Sequence, residues 1–218
     1  MSSLRFKQKQ LARVEILRAT AELVTDRRQL DFSVQEVATR AGVSLRTVYN
    51  HFETRQDLLG ALTDWVMQEM TRMGAPSVEE LTGLDDIVDA VQRMFAINGQ
   101  LGGLSDAYAR LDVTEQLDSG RQHRTERFAE LARADLPDLP AQTARNVGLL
   151  VRHLASQRSW YSLTRDYGMT SAEAGAYTAW AIRTVIDAAR QGVTLPPPPA
   201  IGSAPADPAP DRKPEEEE

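Results

Sequence analysis

The chain has 218 residues, a formal net charge of −6 and no cysteine, which excludes a disulfide framework and any thiolate metal site. No run of 18 apolar residues occurs, so no helical membrane span is expected, and the start MSSLRFKQKQLAR has no apolar signal core, which points to the cytoplasm. Hydrophobic residues at 42% with only 6% aromatics suit an all-α protein packed with Leu, Ala and Val, in one or two domains. The charge is uneven. Residues 1–55 carry ten Lys/Arg against six Asp/Glu, and residues 56–218 carry 15 against 25. A basic head on an acidic body is the asymmetry of a nucleic-acid-binding module joined to something else, although an excess of four charges alone would not carry that reading.

Residues 1–8, with Arg5, Lys7 and then Lys9, read as a basic arm, either a minor-groove contact or a disordered terminus. A first helix over 9–27 has Val14, Leu17, Ala21 and Val24 as its inward stripe. Ser33 and Glu36 are spaced as a capping box for a second helix, with Val34, Val37, Ala38 and Ala41 on its apolar face. Gly42 suits the left-handed turn that ends it, and Ser44 can cap a third helix over 45–51. Two helices joined by a short turn containing Gly are a helix-turn-helix. In the third helix Val48 and Phe52 face inward, leaving Leu45, Arg46, Tyr49 and Asn50 outward. That set suits reading base edges in a major groove. Ser33, Thr47 and His51 flank it and suit phosphate contacts. Thr54 and Asp57 cap a further helix, whose first turn holds Arg55 where free N–H groups and a cation can both take phosphate.

The run AGVSLRTVYNHFETRQDLL resembles the DNA-binding motif of the TetR family of bacterial transcription regulators, through Ala41-Gly42-Val43-Ser44, Thr47-Val48-Tyr49, His51-Phe52, Arg55 and Leu58-Leu59. The motif covers about the first 60 residues. Two positions depart from the family pattern: Arg27-Arg28-Gln29-Leu30 stands where a Gly usually closes the first helix, and Arg55 where Lys is usual. Neither removes a charge or a core position. The resemblance implies a three-helix DNA-binding domain (1–53), a helical effector-binding and dimerisation domain (54–193), about nine helices in all, and a homodimer on an inverted-repeat DNA operator.

Beyond the motif, the helix from Thr54 should reach Met73, with Leu58, Leu62, Trp65, Val66, Met70 and Met73 on one side, and link the two domains. Ser77 and Glu80 form another capping box, ahead of a helix striped by Ile87, Val91, Met94, Phe95 and Asn98. Helices are expected over 104–117 (Tyr108, Leu111 and Leu117 inward), 122–134 (Phe128, Leu131), 141–166 after Pro137 and Pro140, and 171–191, capped by Thr170 and Glu173. The last is apolar over most of its circumference, and Gly148, Gly175, Ala176 and Ala179 permit close helix approach. Residues 141–191 therefore read as a hairpin packed on its own domain and on a second subunit, through Val147, Leu150, Leu154, Tyr177, Trp180, Ala181, Val185 and Ala188. The plain alternative is a helix buried within a monomer. From Pro196 the chain holds eight of its eleven prolines and ends in four Glu, the composition of a disordered acidic tail (194–218).

No nucleophile elbow, phosphate loop or dinucleotide fingerprint is present, so no enzyme and no cofactor are expected. His123 and Glu126 share a helix face, but no third metal ligand is nearby in sequence, and two exposed polar side chains are the ordinary reading. A small-molecule site has better material. Trp65, Met70, Met94, Phe95, Tyr108, Phe128, Trp160 and Tyr161, with polar Asn98, Gln116, Arg152, His153 and Gln157, could line an apolar cavity or simply fill a core. The resemblance implies such a pocket and hence a repressor released from its operator by an as yet unidentified effector. The other readings are a DNA-binding architectural protein without an effector, and an enzyme or ligand-binding protein whose helix-turn-helix is vestigial.

Overall fold

The structure, a computed structural model, describes residues 2–26, 31–113 and 118–193. The expectations placed on Arg27 to Leu30, Gln116, Leu117 and the tail 194–218 lie outside the described residues, as does the side chain of Arg5. Ten α-helices occur among the described residues, and no strand: α1 (Ser2–Asp26), α2 (Val34–Arg40), α3 (Leu45–Tyr49), α4 (Arg55–Arg72), α5 (Leu84–Leu101), α6 (Gly103–Val113), α7 (Asp118–Asp135), α8 (Ala141–Leu154), α9 (Gln157–Tyr161) and α10 (Ser171–Arg190).

Local chemistry sets the ends of the early helices. Ser33 and Glu36 form the reciprocal box at the start of α2, Thr54 and Asp57 the same box at α4, and the Ser44 hydroxyl accepts the Thr47 N–H at 3.1 Å at α3. Gly42, at φ +66°, ends α2. The N–H groups of Gly42 and Val43 turn back onto the carbonyls of Thr39 and Ala38, which closes the tight turn into α3.

Two buried clusters form the interior. The first gathers Ile16, Leu17 and Val24 of α1, Val37 of α2, Val48 and Phe52 around α3, and Leu58, Leu62 and Val66 of α4. It continues into α6 through Ala107, Tyr108 and Leu111. The second joins α5, α7, α8 and α10 around Phe95, Val151, Trp160, Ile182 and Ile186. Met94 packs against both. α6 is thus a wedge between head and body. The Arg110 guanidinium donates to the Val24 carbonyl of α1 at 3.3 Å and to the Tyr161 hydroxyl of α9 at 3.1 Å.

Four expectations change. α1 begins at Ser2, so the arm forms the first turns of the helix. The Ser77–Glu80 box caps a 3-10 turn (Val78–Glu80), and α5 starts later, at Leu84, whose N–H donates to the Asp135 carboxylate at 2.7 Å. The helix expected over 141–166 breaks after Leu154. Ser156 caps α9, and a π-helical turn (Ser162–Asp166) follows. Finally, α10 lies chiefly along α5 rather than α8. The two run antiparallel: a Cβ on Gly99, near the end of α5, would meet the Ser171 side chain, while Arg190 bonds Asp85 at 2.9 and 3.0 Å at the other end. Close approach through glycine does occur, within the subunit. A Cβ on Gly148 would stand 2.5 Å from the Phe128 carbonyl oxygen of α7, and one on Gly175 would stand 3.4 Å from the Gln92 Cα of α5.

Candidate nucleic-acid interface and internal cavity

The turn and caps of the head leave one polar surface. Val48 and Phe52 anchor α3 in the core at 1% and 4% exposure. Arg46, Tyr49 and Asn50 are in consequence exposed, while Leu45 is half-buried against the first cluster. Among the flanking residues, the Ser33 hydroxyl is engaged in the α2 box, accepting the Glu36 N–H and bonding its carboxylate at 2.9 Å. The Thr47 hydroxyl lies 2.8 Å from that of Ser44. Arg55 lies with its guanidinium 4.7 Å from the centroid of the Phe32 ring, and Arg13 of α1 stands 4.8 Å over Phe52.

The His51 ring lies 6.1 Å from that of Phe52, centroid to centroid. Partial burial first, then the positive charges of Lys9 and Arg13, hold its pKa below the ordinary value of 6.5. Lys9 and Arg13 thereby extend the positive surface from α3 onto α1. Arg13 had no part in the sequence reading. The signal was there: Lys9 and Arg13 are four apart, which puts both on one face of a helix that runs past the motif.

In the body the helices leave a cavity of about 410 Å³ between α4, α5 and α7, with a lobe of about 140 Å³ toward α8 and α9. Met67, Met70, Met94, Arg124, Phe128 and Ala155 line both. The larger part adds Thr71, Ala75, Pro76, Ile87 and Val91, and the lobe adds Tyr108, Arg152, Ser156 and Gln157. Of the thirteen residues expected around a pocket, Met70, Met94, Tyr108, Phe128, Arg152 and Gln157 are on its walls. Gln116 lies outside the described residues, Tyr161 packs against the second cluster, and the other five are placed elsewhere. Phe95 and Trp160 are completely buried in the second cluster, and the Trp160 Nε1 donates to the Ser171 hydroxyl at 3.0 Å. Asn98 is buried behind the wall, donating to the Gln157 side-chain oxygen at 2.8 Å. Trp65 packs on the first cluster, and His153 is exposed at the end of α8. Sequence reasoning found the aromatics but missed Met67 and Arg124, because a stripe says which face turns inward and not which buried faces fail to meet.

At the cavity mouth His123 lies 3.0 Å from Glu79, and Glu126 bonds Arg133, so the pair considered as metal ligands is divided between other partners. No group of three or more potential metal ligands occurs among the described residues. On α10, Tyr177 and Trp180 are 61% and 67% exposed, and Leu150 of α8 is 43% exposed. Leu154, Ala181, Val185 and Ala188 are half-buried. Val147 does not join that face: it is 4% exposed inside its own subunit, because α8 turns it toward the second cluster.

The fold is thus a helix-turn-helix head joined to a helical body that encloses a cavity. The family model of bacterial regulatory proteins of the tetR family matches residues 16–62. An uncharacterized HTH-type transcriptional regulator of Mycobacterium tuberculosis is 31% identical over 159 residues, spanning 69% of this chain and 76% of the relative. Among solved structures, a TetR-family transcriptional regulator from Syntrophomonas wolfei aligns with a TM-score of 0.57 at 16% identity, covering 81% of this chain and 95% of that one. FadR from Bacillus subtilis, solved in complex with stearoyl-CoA, aligns with a TM-score of 0.55 at 13% identity, covering 83% and 99%. NalD of Pseudomonas aeruginosa, the secondary repressor of a multidrug efflux pump, aligns with a TM-score of 0.51 at 17% identity, covering 80% and 96%. The chain belongs to the TetR family of bacterial transcription regulators, a family of DNA-binding proteins and not of enzymes. No helix among the described residues is long and apolar enough to cross a membrane.

Proposed function

We propose that this protein is a homodimeric repressor that binds an inverted-repeat operator in the cytoplasm and leaves it when a small molecule fills the cavity. The domains divide at residue 53, with α4 as the shared element. Arg46, Tyr49, Asn50 and Leu45 read bases, while Ser33, Thr47, His51 and Arg55 hold phosphates. One observation carries the coupling. The helix α4 starts at the polar surface of the head, with Arg55 in its first turn, and its last turns line the cavity through Met67, Met70 and Thr71. A ligand that favours one placement of α4 therefore biases the placement of the head, in proportion to its differential affinity for the two states. The ligand-bound FadR and the repressor NalD support both halves of this reading by analogy of fold. The exposed Tyr177, Trp180 and Leu150 are the natural centre of a two-fold interface, and pairing heads one DNA turn apart is how such motifs gain affinity.

The test is selection of bound fragments from the source genome, run beside Arg46→Ala and Tyr49→Ala. A shared inverted repeat should emerge, and Arg46→Ala should cost about 1–3 kcal/mol and relax preference at one base step. Recovery of random fragments, unchanged by either substitution, would replace this reading with that of an architectural protein.

A further inference from the structure

The cavity wall is mostly apolar, with Glu79 and His123 at the mouth, Arg124 shared with the lobe and Arg152 in the lobe. Arg124 lies one helical turn before Phe128 on α7, lines both the main cavity and its lobe, and is half-buried. No hydrogen bond or ion pair engages it among the described residues. Several other polar groups of the wall are committed. The Thr71 hydroxyl donates to the Met67 carbonyl at 2.9 Å. Gln157 accepts from Asn98 and donates to the Ser105 carbonyl. Glu79, the acid at the mouth, is bonded by the Ser77 hydroxyl and lies against His123. Arg152 brings a second positive charge to the lobe. A guanidinium at an apolar wall has lost part of its hydration, and an anion restores that loss through charge-assisted bonds. Unbranched methionines at 67, 70 and 94 mould to a flexible hydrocarbon.

We propose that the ligand of this cavity is an amphipathic carboxylate, with its hydrocarbon tail among Met67, Met70, Met94 and Phe128 and its head group on Arg124. The inference rests on the reading of the cavity as the effector site. It is tested with the full chain by calorimetry against decanoate, decanamide and decyltrimethylammonium, which share a tail and differ in charge, and by release of the selected operator. Decanoate should bind at least about tenfold more tightly than decanamide, the equivalent of one charge-assisted hydrogen bond. Arg124→Gln should bring the two within about twofold by weakening decanoate alone, and Arg124→Lys should retain part of the preference. Equal binding of all three probes, or a decanoate preference that survives Arg124→Gln, would overturn the assignment and leave the cavity as the effector site. If none of the three binds a protein that still holds its operator, the effector-site reading falls as well.

Discussion

The head and the body of this molecule are held together over different distances along the chain. In the head, the polar bonds that fix each helix start are local: Ser33 with Glu36, Ser44 with Thr47, and Thr54 with Asp57, all within 25 residues. In the body, local caps also start α9 and α10, at Ser156 and Thr170, but further polar bonds join distant segments. Asp135 receives the Leu84 N–H, Arg190 pairs with Asp85, and Asn98 donates to Gln157. Local caps define a surface whatever the rest of the chain does, which suits a head that must meet DNA in one geometry. Long-range ties can shift together, which suits the response to a ligand proposed for the body. The two meet in α4 and α6, because the first cluster includes Ile97, Tyr108 and Leu111 beside head residues.

Cutting each core tests that junction most severely. Leu62 and Ile182 are both fully buried, one in each cluster, and alanine at either should cost about 2–5 kcal/mol. Because α4 and α6 join the clusters, each variant is expected to unfold in a single transition. Trp65 reports on the head and Trp160 on the body. Separate transitions in fluorescence and circular dichroism would mean that head and body are independent, and coupling through α4 would lose its basis.

Gly148→Ala probes the body alone. The added Cβ would stand 2.5 Å from a backbone oxygen of α7 and 2.9 Å from the Ala132 Cβ, so α7 and α8 must separate. Overpacking of this kind costs about 1–3 kcal/mol. Phe128 is the residue whose backbone is struck, and its ring lines the cavity, so ligand affinity should fall together with the melting temperature. Operator affinity without ligand should hold. A loss of operator binding equal to the loss of ligand binding would show that the head takes its geometry from the body.

Much of the head could be read in the sequence and less of the body, for the same physical reason. Capping boxes and the Gly42 turn are decided by residues three to five apart, so the helices there, their inward faces and the exposed Arg46, Tyr49 and Asn50 follow from spacing. Periodicity also found the inward faces of α5 and α7, whereas the face α10 buries, with Ala174, Thr178, Ala179, Ile182 and Ile186, is not the Tyr177, Ala181, Val185 and Ala188 stripe. Periodicity did not give the partners of these helices. Phe95 and Trp160 are as apolar as Met70 and Phe128, yet the first two close a core and the second two border a void. That difference arises where α4, α5 and α7 converge, which no local pattern encodes. The broken helix after Leu154 shows a near miss, since Ser156 carries a cap that the sequence offered for the start of α9.

Within the head, smaller effects separate phosphate contacts from structural cations. Arg55→Ala should weaken all DNA sequences alike and lower the salt slope by about one unit. Its guanidinium also covers the Phe32 ring, so Arg55→Lys should keep the slope and lose a little stability. An unchanged slope for the alanine variant would make Arg55 a lid on Phe32 and nothing more.

The smallest effect expected is one of pH. His51 is held below its ordinary 6.5 by partial burial and by Lys9 and Arg13. As pH falls through 6.5 the unfolded chain therefore takes up this proton before the folded one does, and the His51 contribution to stability falls over that window and stays lost below it. In the proposed complex the sign reverses. A phosphate between Lys9, Arg13 and His51 offsets both cations and favours the imidazolium, so binding takes up a proton and operator affinity should rise from about pH 7.5 to about pH 5.5. His51→Gln should remove the rise while keeping the neutral form's hydrogen bonding. Lys9→Gln should raise the His51 pKa in the free protein and so flatten the rise from the other side. A rise that persists in His51→Gln would assign it to general charge, and the basic edge along α1 would then be a bystander to the recognition helix rather than part of its phosphate seat.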